Sequence, residues 1–488
     1  MSKRRGNIIP GIFLFLAIVI GGSIWAYFKF VHWRPLTLAG RNHKTFSHRR
    51  VASTFSVDVD TASYSQVRAA LLHGQLPIPE CIRAEEMLNY FPYNYPSAVG
   101  SAPLAIHTEF SGCPWNERHW LLRLGLQTHQ LPTDQLPPRN LVFLIDVSGS
   151  MTESLPLLSQ AFTRLVAGLR AQDRVAIVTY AGNAGLLLEP TSGEDKSKIL
   201  AALADLQAGG STHGSDGILK AYALAERHFA RGGVNRVILA TDGDFNVGIT
   251  DHKQLVALIE KKRQSGIFLT ALGFGQPNDH MLEQLADKGN GNYYFLDSLA
   301  EARKVLVKEA GGTLVTLAKD VKVQVEFDPD LVKSSRLIGY ENRRLADRDF
   351  QDDSKDAGEM GSGHSVTALY ELVPGRAPQG DEEVAHIKVR YQEPQGGASK
   401  LISANVTPDE LLPLEKSSDD FRFAAAVAEF AGLLRKPAPA ARWEAVARLA
   451  KSSRGQDVEG YRAEFVNLVS IAQRLSDKSP TALGAWEP

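Results

Sequence analysis

The alternation of apolar and polar positions divides the chain into stretches of different period. From Ile8 to Phe28 no charged residue interrupts a run that includes Ile12, Phe13, Leu14, Phe15, Leu16, Ile18, Val19 and Ile20. About 20 apolar residues cross the hydrocarbon core of a bilayer, so this run predicts a transmembrane helix. Residues 29–52 lose that character and read as a juxtamembrane linker. Phe55-Ser-Val-Asp-Val-Asp60 then alternates like a short strand. Thr61 to Leu72 fits a helix, with Asp60 or Thr61 as N-cap and Gly74 past its end, and Pro79 to Phe91 fits a second. Leu104 to Phe110 and Trp120 to Gln127 have the period of two that marks strands.

From Asn140 to about Ala310 strands and helices take turns. The clearest strands are Leu141–Asp146, Arg174–Tyr180, Arg236–Asp242, Ile267–Phe274 and Asn292–Leu296. Helical patterns cover Leu155–Ala171, Lys196–Leu206, Ser215–Ala230, His252–Gln264, His280–Lys288 and Leu299–Glu309. Strands that read as unbroken apolar runs, such as Leu141-Val-Phe-Leu-Ile145, predict a parallel sheet buried on both faces. The fold class is therefore α/β, doubly wound and mostly parallel, with further parts on either side. Beyond Gly312, Val321–Phe327, Ser365–Leu372, Ala385–Tyr391 and Leu401–Val406 alternate like antiparallel strands, and Ala357–Gly363 reads as a polar loop. The strands flanking the α/β unit, at 104–127 and 321–406, are expected to pair in one β-sandwich with that unit inserted. From Asp419 helices return, with apolar stripes at Phe423, Val427, Phe430 and Leu434 and at Tyr461, Phe465, Leu468 and Leu475 that suit core positions. The expected organisation is a stub (1–7), an anchor (8–28), a linker (29–52) and an α+β region (53–138). The α/β unit (139–310), a β-rich domain (311–410), a helical region (411–476) and a tail (477–488) follow.

Charge refines this division. Lys and Arg number 54 against 55 Asp and Glu, a net charge of -1, and the basic bias of a nucleic-acid binder is absent. Two cysteines exclude a disulfide-rich scaffold and a four-cysteine zinc site. Cys81 and Cys113 leave two readings, one disulfide or two free thiols, because bridge geometry is strict. The basic residues cluster around the apolar run: Lys3, Arg4 and Arg5 before it, and Lys29, Arg34, Arg41, Lys44, Arg49 and Arg50 after it. No clean A-x-A cleavage site follows Gly21-Gly-Ser23, and Trp25 and Tyr27 suit an interface, which favours an uncleaved anchor over a signal peptide. Counting charges literally would keep the body in the cytoplasm. The short Lys-Arg-Arg start is also the usual export signal, and the expectation is a single-pass inner-membrane protein with a periplasmic body. Residues 29–50 then rest on anionic headgroups.

The α/β region carries the candidate chemistry. Its first strand ends Ile145-Asp146-Val147-Ser148-Gly149-Ser150-Met151, and ligands of doubly wound sheets bind outside the carboxyl ends of the strands. Asp146, Ser148 and Ser150 offer one carboxylate and two hydroxyls, all oxygen, the donors a hard cation such as Mg²⁺ prefers. Alone the triplet is weak, since Asp and Ser also build turns and N-caps. Ala208-Gly-Gly-Ser-Thr212 and Leu239-Ala-Thr-Asp242-Gly243 add a hydroxyl and an acid at the same predicted edge.

Asp146-x-Ser148-x-Ser150, Thr212 and Asp242 resemble the metal-ion-dependent adhesion site of von Willebrand factor type A (VWA) domains. Ser56-Val-Asp-Val-Asp-Thr-Ala-Ser-Tyr64, Glu85-Glu-Met-Leu-Asn-Tyr-Phe91, Cys113-Pro-Trp-Asn116, Thr241-Asp-Gly-Asp-Phe-Asn-Val-Gly248 and Arg336-Leu-Ile-Gly-Tyr-Glu-Asn342 are similar to bacterial VWA proteins of the YfbK type, from about residue 50 to 475. The resemblance implies a six-stranded, Rossmann-like VWA domain with a family-specific segment before it and a further domain after it. It implies direct metal binding by Ser148, Ser150 and Thr212, with Asp146 and Asp242 acting through ordered waters, around Mg²⁺, Mn²⁺ or Ca²⁺. It also implies a protein partner that offers a carboxylate to the metal. His213 and Asp216 stand beside Thr212 either as partner-selecting rim residues or as solvated residues of a helix start, where Asp216 suits the dipole. Asp244 belongs to the same rim or only to its turn.

Enzyme readings fare worse. A phosphate-transfer enzyme built on Asp-x-Asp would need an acid where Ser148 stands. No phosphate-binding G-x-x-x-x-G-K-[ST] motif occurs, and Gly363-His-Ser-Val-Thr367 lacks the second glycine of a nucleophile elbow. The functional expectation is a non-enzymatic, metal-dependent adhesion or adaptor protein. The alternative is an accessory factor in envelope assembly acting with an ATPase partner.

Overall fold

The computed structural model describes residues 51–478, apart from 58–59, 99, 101, 182–183, 210–213, 244–251, 276–277, 310–313, 379–381 and 437–438. The expected anchor at Ile8–Phe28 lies outside the described residues, as do Thr212, His213 and Asp244. Among the described residues no helix is long and apolar enough to cross a membrane.

Among the described residues there are seventeen strands, in chain order β1 Val51–Ser56, β2 Leu104–Cys113, β3 Asn116–Thr128, β4 Arg139–Asp146, β5 Arg174–Tyr180, β6 Ala184–Ser192, β7 Val234–Thr241, β8 Ile267–Gly273, β9 Tyr293–Phe295, β10 Thr316–Phe327, β11 Val332–Ile338, β12 Arg344–Leu345, β13 Gly358–Gly361, β14 Ser365–Pro374, β15 Ala385–Gln392, β16 Lys400–Val406 and β17 Leu411–Leu412. The α-helices are α1 Ala62–Leu72, α2 Ala84–Asn89, α3 Leu155–Ala167, α4 Lys196–Ala204, α5 Gly214–Arg227, α6 His252–Gln264, α7 Asp279–Lys288, α8 Leu299–Arg303, α9 Asp419–Arg435, α10 Ala440–Ser452 and α11 Tyr461–Lys478.

The α/β unit holds a six-stranded sheet in the order β6-β5-β4-β7-β8-β9. All neighbours are parallel except β6, which runs antiparallel to β5. Every residue of β4 and β7 is buried, which is why each contains an unbroken apolar run, Leu141–Ile145 and Val237–Ala240. One face packs Phe143, Ile145 and Ile238 against Leu158 and Phe162 of α3. The other packs Leu144 and Val237 against Ile218 and Tyr222 of α5 and Leu255 of α6. The edge strand β6 was not expected. Only Leu188 and Thr191 of its nine residues are buried, so no buried apolar run announces it.

The flanking strands form a two-sheet sandwich. One sheet has the order β12-β1-β10-β15-β16, with β13 also on β10; the other is β11-β14-β3-β2-β17. Leu122 of β3 stands opposite Tyr370 of β14, and Phe55 of β1 opposite Val323 of β10, so segments from before and after the α/β unit pair within each sheet. Their inner faces share one core that includes Phe55, Phe110, Leu122, Val325, Tyr370 and Val389. The α/β unit is thus inserted between β3 and β10. Two local expectations change here. The loop expected at Ala357–Gly363 contains the strand β13, where Gly358 lies so close to the Val57 carbonyl that a Cβ would stand 2.1 Å from it. The helix expected over Pro79–Phe91 is a 3₁₀ turn at Pro79–Cys81 followed by the short α2, because Ile82 and Arg83 between them are extended. Ile82 is buried, and Arg83 reaches Glu86 and, at 2.8 Å, Asp279 of α7.

The two ends of the described chain meet in a helical layer. Tyr64 of α1 stacks on Tyr90 at 3.9 Å, and Phe91 packs edge-on against Phe423 of α9 and Phe465 of α11. Of the stripe residues, Phe423, Val427, Phe430, Phe465 and Leu468 are core, as their spacing predicts, whereas Leu434, Tyr461 and Leu475 are half-buried. α1 also runs beside β9. The Tyr293 amide donates to Asp60 at 2.9 Å, and Arg68 pairs with Asp297 just past that strand. The helix thereby covers an edge of the parallel sheet that would otherwise stay open.

Candidate metal site at the carboxyl edge of the parallel sheet

β4 delivers Asp146 fully buried, and the backbone then turns into a 3₁₀ segment, Gly149–Glu153. The turn is held on both sides. The Val147 amide donates to the Tyr180 carbonyl at 3.0 Å, and Met151 sinks completely into the core. α3 follows with Pro156 in its first turn, where a missing amide costs nothing.

The Asp146 carboxylate is gripped from behind. Oδ1 accepts the Ser148 amide at 2.9 Å, and Oδ2 accepts the Thr241 hydroxyl at 3.0 Å. Burial pushes this carboxyl above its ordinary range; the two hydrogen bonds oppose that rise and the charge of Asp242 adds to it. Thr241 is a member the sequence reasoning did not single out. Its signal is a buried hydroxyl that directly follows the apolar run Val237-Ile-Leu-Ala240. The same hydroxyl accepts the Gly243 amide at 3.1 Å, which shapes the turn that follows Asp242.

Ser148 and Ser150 place their Oγ atoms 3.0 Å apart. An octahedral Mg²⁺ with oxygens at about 2.0–2.1 Å puts neighbouring ligands about 3 Å from each other, so the pair has the spacing of two adjacent ligands of one ion. Ser148 is nearly buried and Ser150 exposed, so the pair points from the core toward solvent. Asp242 stands half-buried at the end of β7, the neighbour of β4. The loop after β8 closes in from the side: the Phe274 amide donates to the Thr241 carbonyl at 3.0 Å, and Gly275 approaches Ser154 and Asp242.

Of the five motif residues, the structure brings Asp146, Ser148, Ser150 and Asp242 to one sheet edge. Thr212 lies outside the described residues. Gly209, which is described, donates its amide to the Val147 carbonyl at 2.8 Å. Asp216 falls in the first turn of α5. That helix lies hard against the sheet, where a Cβ on Gly217 would stand 2.9 Å from the Cβ of Tyr180. Among the described residues no group of three or more acidic, histidine or cysteine side chains is placed to hold a metal. The candidate donor set has a different chemistry, two acids with hydroxyls, and its all-oxygen character fits a small hard cation.

The cysteine alternatives resolve toward thiols. Cys81 and Cys113 are both free. They sit in different neighbourhoods, Cys81 on the 3₁₀ turn whose carbonyl accepts the Ser63 hydroxyl and Cys113 at the tip of the β2–β3 hairpin. Burial pushes the Cys81 thiol up and the Cys113 thiol to about 12, so neither is poised as a thiolate.

The comparisons with known proteins agree with this architecture. Residues 140–308 match the family model described as von Willebrand factor type A domain, and residues 312–475 the model described as uncharacterized protein YfbK, C-terminal. Residues 39–123 match a model described as von Willebrand factor. The uncharacterized protein YfbK of Escherichia coli (strain K12) is 41% identical over 457 residues, which cover 88% of this chain and 79% of that one. The chain belongs to the YfbK family. Outside bacteria, inter-alpha-trypsin inhibitor heavy chain H4 of Homo sapiens is 30% identical over 164 residues, 32% of this chain and 18% of that one. Among solved structures, a von Willebrand factor type A protein from Catenulispora acidiphila aligns with a TM-score of 0.42 at 15% identity, covering 74% of this chain and 89% of that one. This YfbK-family chain therefore carries a VWA fold, with parallel strands in one sheet and helices at its C-terminal end.

Proposed function

We propose that this YfbK-family protein is a metal-dependent adhesion or adaptor protein that captures a carboxylate of a protein partner at the edge of its VWA sheet. The observation that carries the reading is the Ser148–Ser150 hydroxyl pair, 3.0 Å apart, in front of an Asp146 whose two oxygens are already engaged. Ser148, Ser150 and Thr212 would hold Mg²⁺, or Mn²⁺ or Ca²⁺, directly, with Asp146 and Asp242 behind ordered waters. When bound, the cation supplies an electrophilic position that accepts a carboxylate. The chain's part is to hold few formal charges against the ion, so that the partner's carboxylate is still needed. Asp146 spends its lone pairs orienting the Ser148 turn and the Thr241 hydroxyl, which suits positioning rather than proton transfer, and we assign no catalysis.

The test of partner capture uses the immobilised full chain. A partner retained in Mg²⁺ should be released by EDTA and should not be retained by the Ser148→Ala/Ser150→Ala double variant. Retention that ignores both the chelator and the substitution would favour a scaffold working with an ATPase partner. We further propose a single-pass inner-membrane anchor at Ile8–Phe28 with the body in the periplasm. Protease added to intact spheroplasts should then degrade the C-terminal body; complete protection would place it in the cytoplasm.

A further inference from the structure

The site at Asp146 lies where the parallel strands end, and a polar cavity of about 330 Å³ lies where they begin. Its walls come from two bodies: the start of β7 and the turn between α7 and β9 on one side, β1, β10 and β13 of the sandwich on the other. Arg236, the third residue of β7, lines it and is 3% exposed. One guanidinium nitrogen, Nη1, donates to the Thr270 hydroxyl at 2.6 Å, and the group lies 5.7 Å from the Phe268 ring centre. Nε has no partner, and among the described residues no carboxylate forms an ion pair with this arginine. Buried charges are ordinarily paired, so this one stands out. Of the other cations in the wall, Arg343 is paired with Asp287 at 2.6 Å, Lys288 with Glu260 at 3.2 Å and Lys355 with Asp349 at 3.9 Å, and Arg344 is exposed to solvent.

A second buried donor belongs to the same wall. Asn292 Nδ2 is buried without a partner. Glu359, the acid closest in role, directs its oxygens elsewhere, accepting Asn290 Nδ2 at 2.5 Å and the Thr316 hydroxyl at 3.1 Å. Burial pushes its carboxyl up to about 7, so near neutrality it supplies Arg236 with only part of a charge. Two buried donors without partners in the wall of one open cleft call for an acceptor from outside. Arginine presents its nitrogens as a planar fork that a carboxylate matches. Asp60, Asp287 and Asp356 in the wall are already ion-paired, so Arg236 offers one buried charge, which balances a monocarboxylate better than a phosphate dianion. The volume is at the small end of ligand pockets, about 300–1,000 Å³.

We propose that this cavity binds a small carboxylate-bearing molecule, its carboxylate on Arg236 Nε and Asn292 Nδ2, and that such a ligand ties the base of the VWA sheet to the β-sandwich. The inference is independent of the metal site. The full chain, free of carboxylate buffers at pH 7.5, would be titrated calorimetrically with acetate, succinate and inorganic phosphate. The expected result is saturable one-to-one binding of acetate or succinate, weakened at least tenfold in Arg236→Met and also weakened in Asn292→Ala, but retained in Glu359→Gln. Asn292→Ala keeps the test alive should Arg236→Met fail to fold. Absence of saturable binding by both carboxylates, or affinity unchanged in both donor variants, would overturn the proposal, as would phosphate binding while the carboxylates stay inert.

Discussion

Replacing Arg68 by Met is expected to lower the stability of the fold by roughly 3–5 kcal/mol, the usual consequence of removing one partner of a buried ion pair. Arg68 joins three segments far apart in the chain. Nε and Nη2 grip Asp297 at 2.7 and 2.5 Å, Nη2 also reaches Glu301 at 2.8 Å, and Nη1 donates to the Tyr90 hydroxyl at 2.8 Å and to Glu464 of α11 at 3.1 Å. The side chains of Arg68, Asp297 and Glu301 are 4%, 8% and 1% exposed, so water cannot take over once the guanidinium is gone. Burial already holds the Glu301 carboxyl above its ordinary range, and Arg68 is one of the two cations that oppose this. Methionine fills much of the volume but leaves Asp297 and Glu301 without that cation. Lysine keeps the charge and loses the fork, so Arg68→Lys should lie between. Adding Glu301→Gln to Arg68→Met should recover part of the loss, because the two residues are coupled. Denaturant unfolding of the full chain checks this through the midpoint at constant slope. A loss below about 1 kcal/mol would mean that the network carries only surface-like energy.

Asp146→Ala is expected to weaken Mg²⁺ binding by about 10–100-fold, the usual effect of removing an outer-shell partner of a metal ligand. The substitution frees the Ser148 amide and the Thr241 hydroxyl together, and with them the orientation of the 3₁₀ turn that aligns Ser148 with Ser150. Stability moves little, because two unsatisfied donors, each costing about 1–3 kcal/mol, are set against the removal of a buried carboxylate. A large loss of affinity in a folded variant therefore distinguishes a site residue from a structural one. Circular dichroism on the same sample provides the control.

How much of this was legible in the sequence depended on how locally each feature is determined. Strands of the VWA sheet buried on both faces announce themselves as apolar runs, and β4, β5, β7, β8 and β9 were all expected. β6 and β11 were not, because each is a partly exposed strand; Val332-Lys-Ser-Ser-Arg-Leu-Ile338 turns Lys333 and Ser334 to solvent. The helix over Pro79–Phe91 failed for the opposite reason, since distant partners for Arg83 override a helical local pattern. At the candidate site, Asp146, Ser148, Ser150 and Asp242 were readable because each ends or follows an apolar strand. Thr241 was hidden by its neighbour Asp242. Arg68 and Arg236 carry no local signal at all: their meaning comes from Asp297 and Glu464, or from the sandwich wall, hundreds or dozens of positions away.

The most direct measurement is a calorimetric titration of the full chain with Mg²⁺, run beside Asp146→Ala and Asp242→Ala. The predicted result is one saturable site in the unaltered protein, weakened in each single variant and lost when both are combined. A protein that gives no saturable heat, or variants that bind as the unaltered chain does, would contradict the assignment of this sheet edge as a metal site.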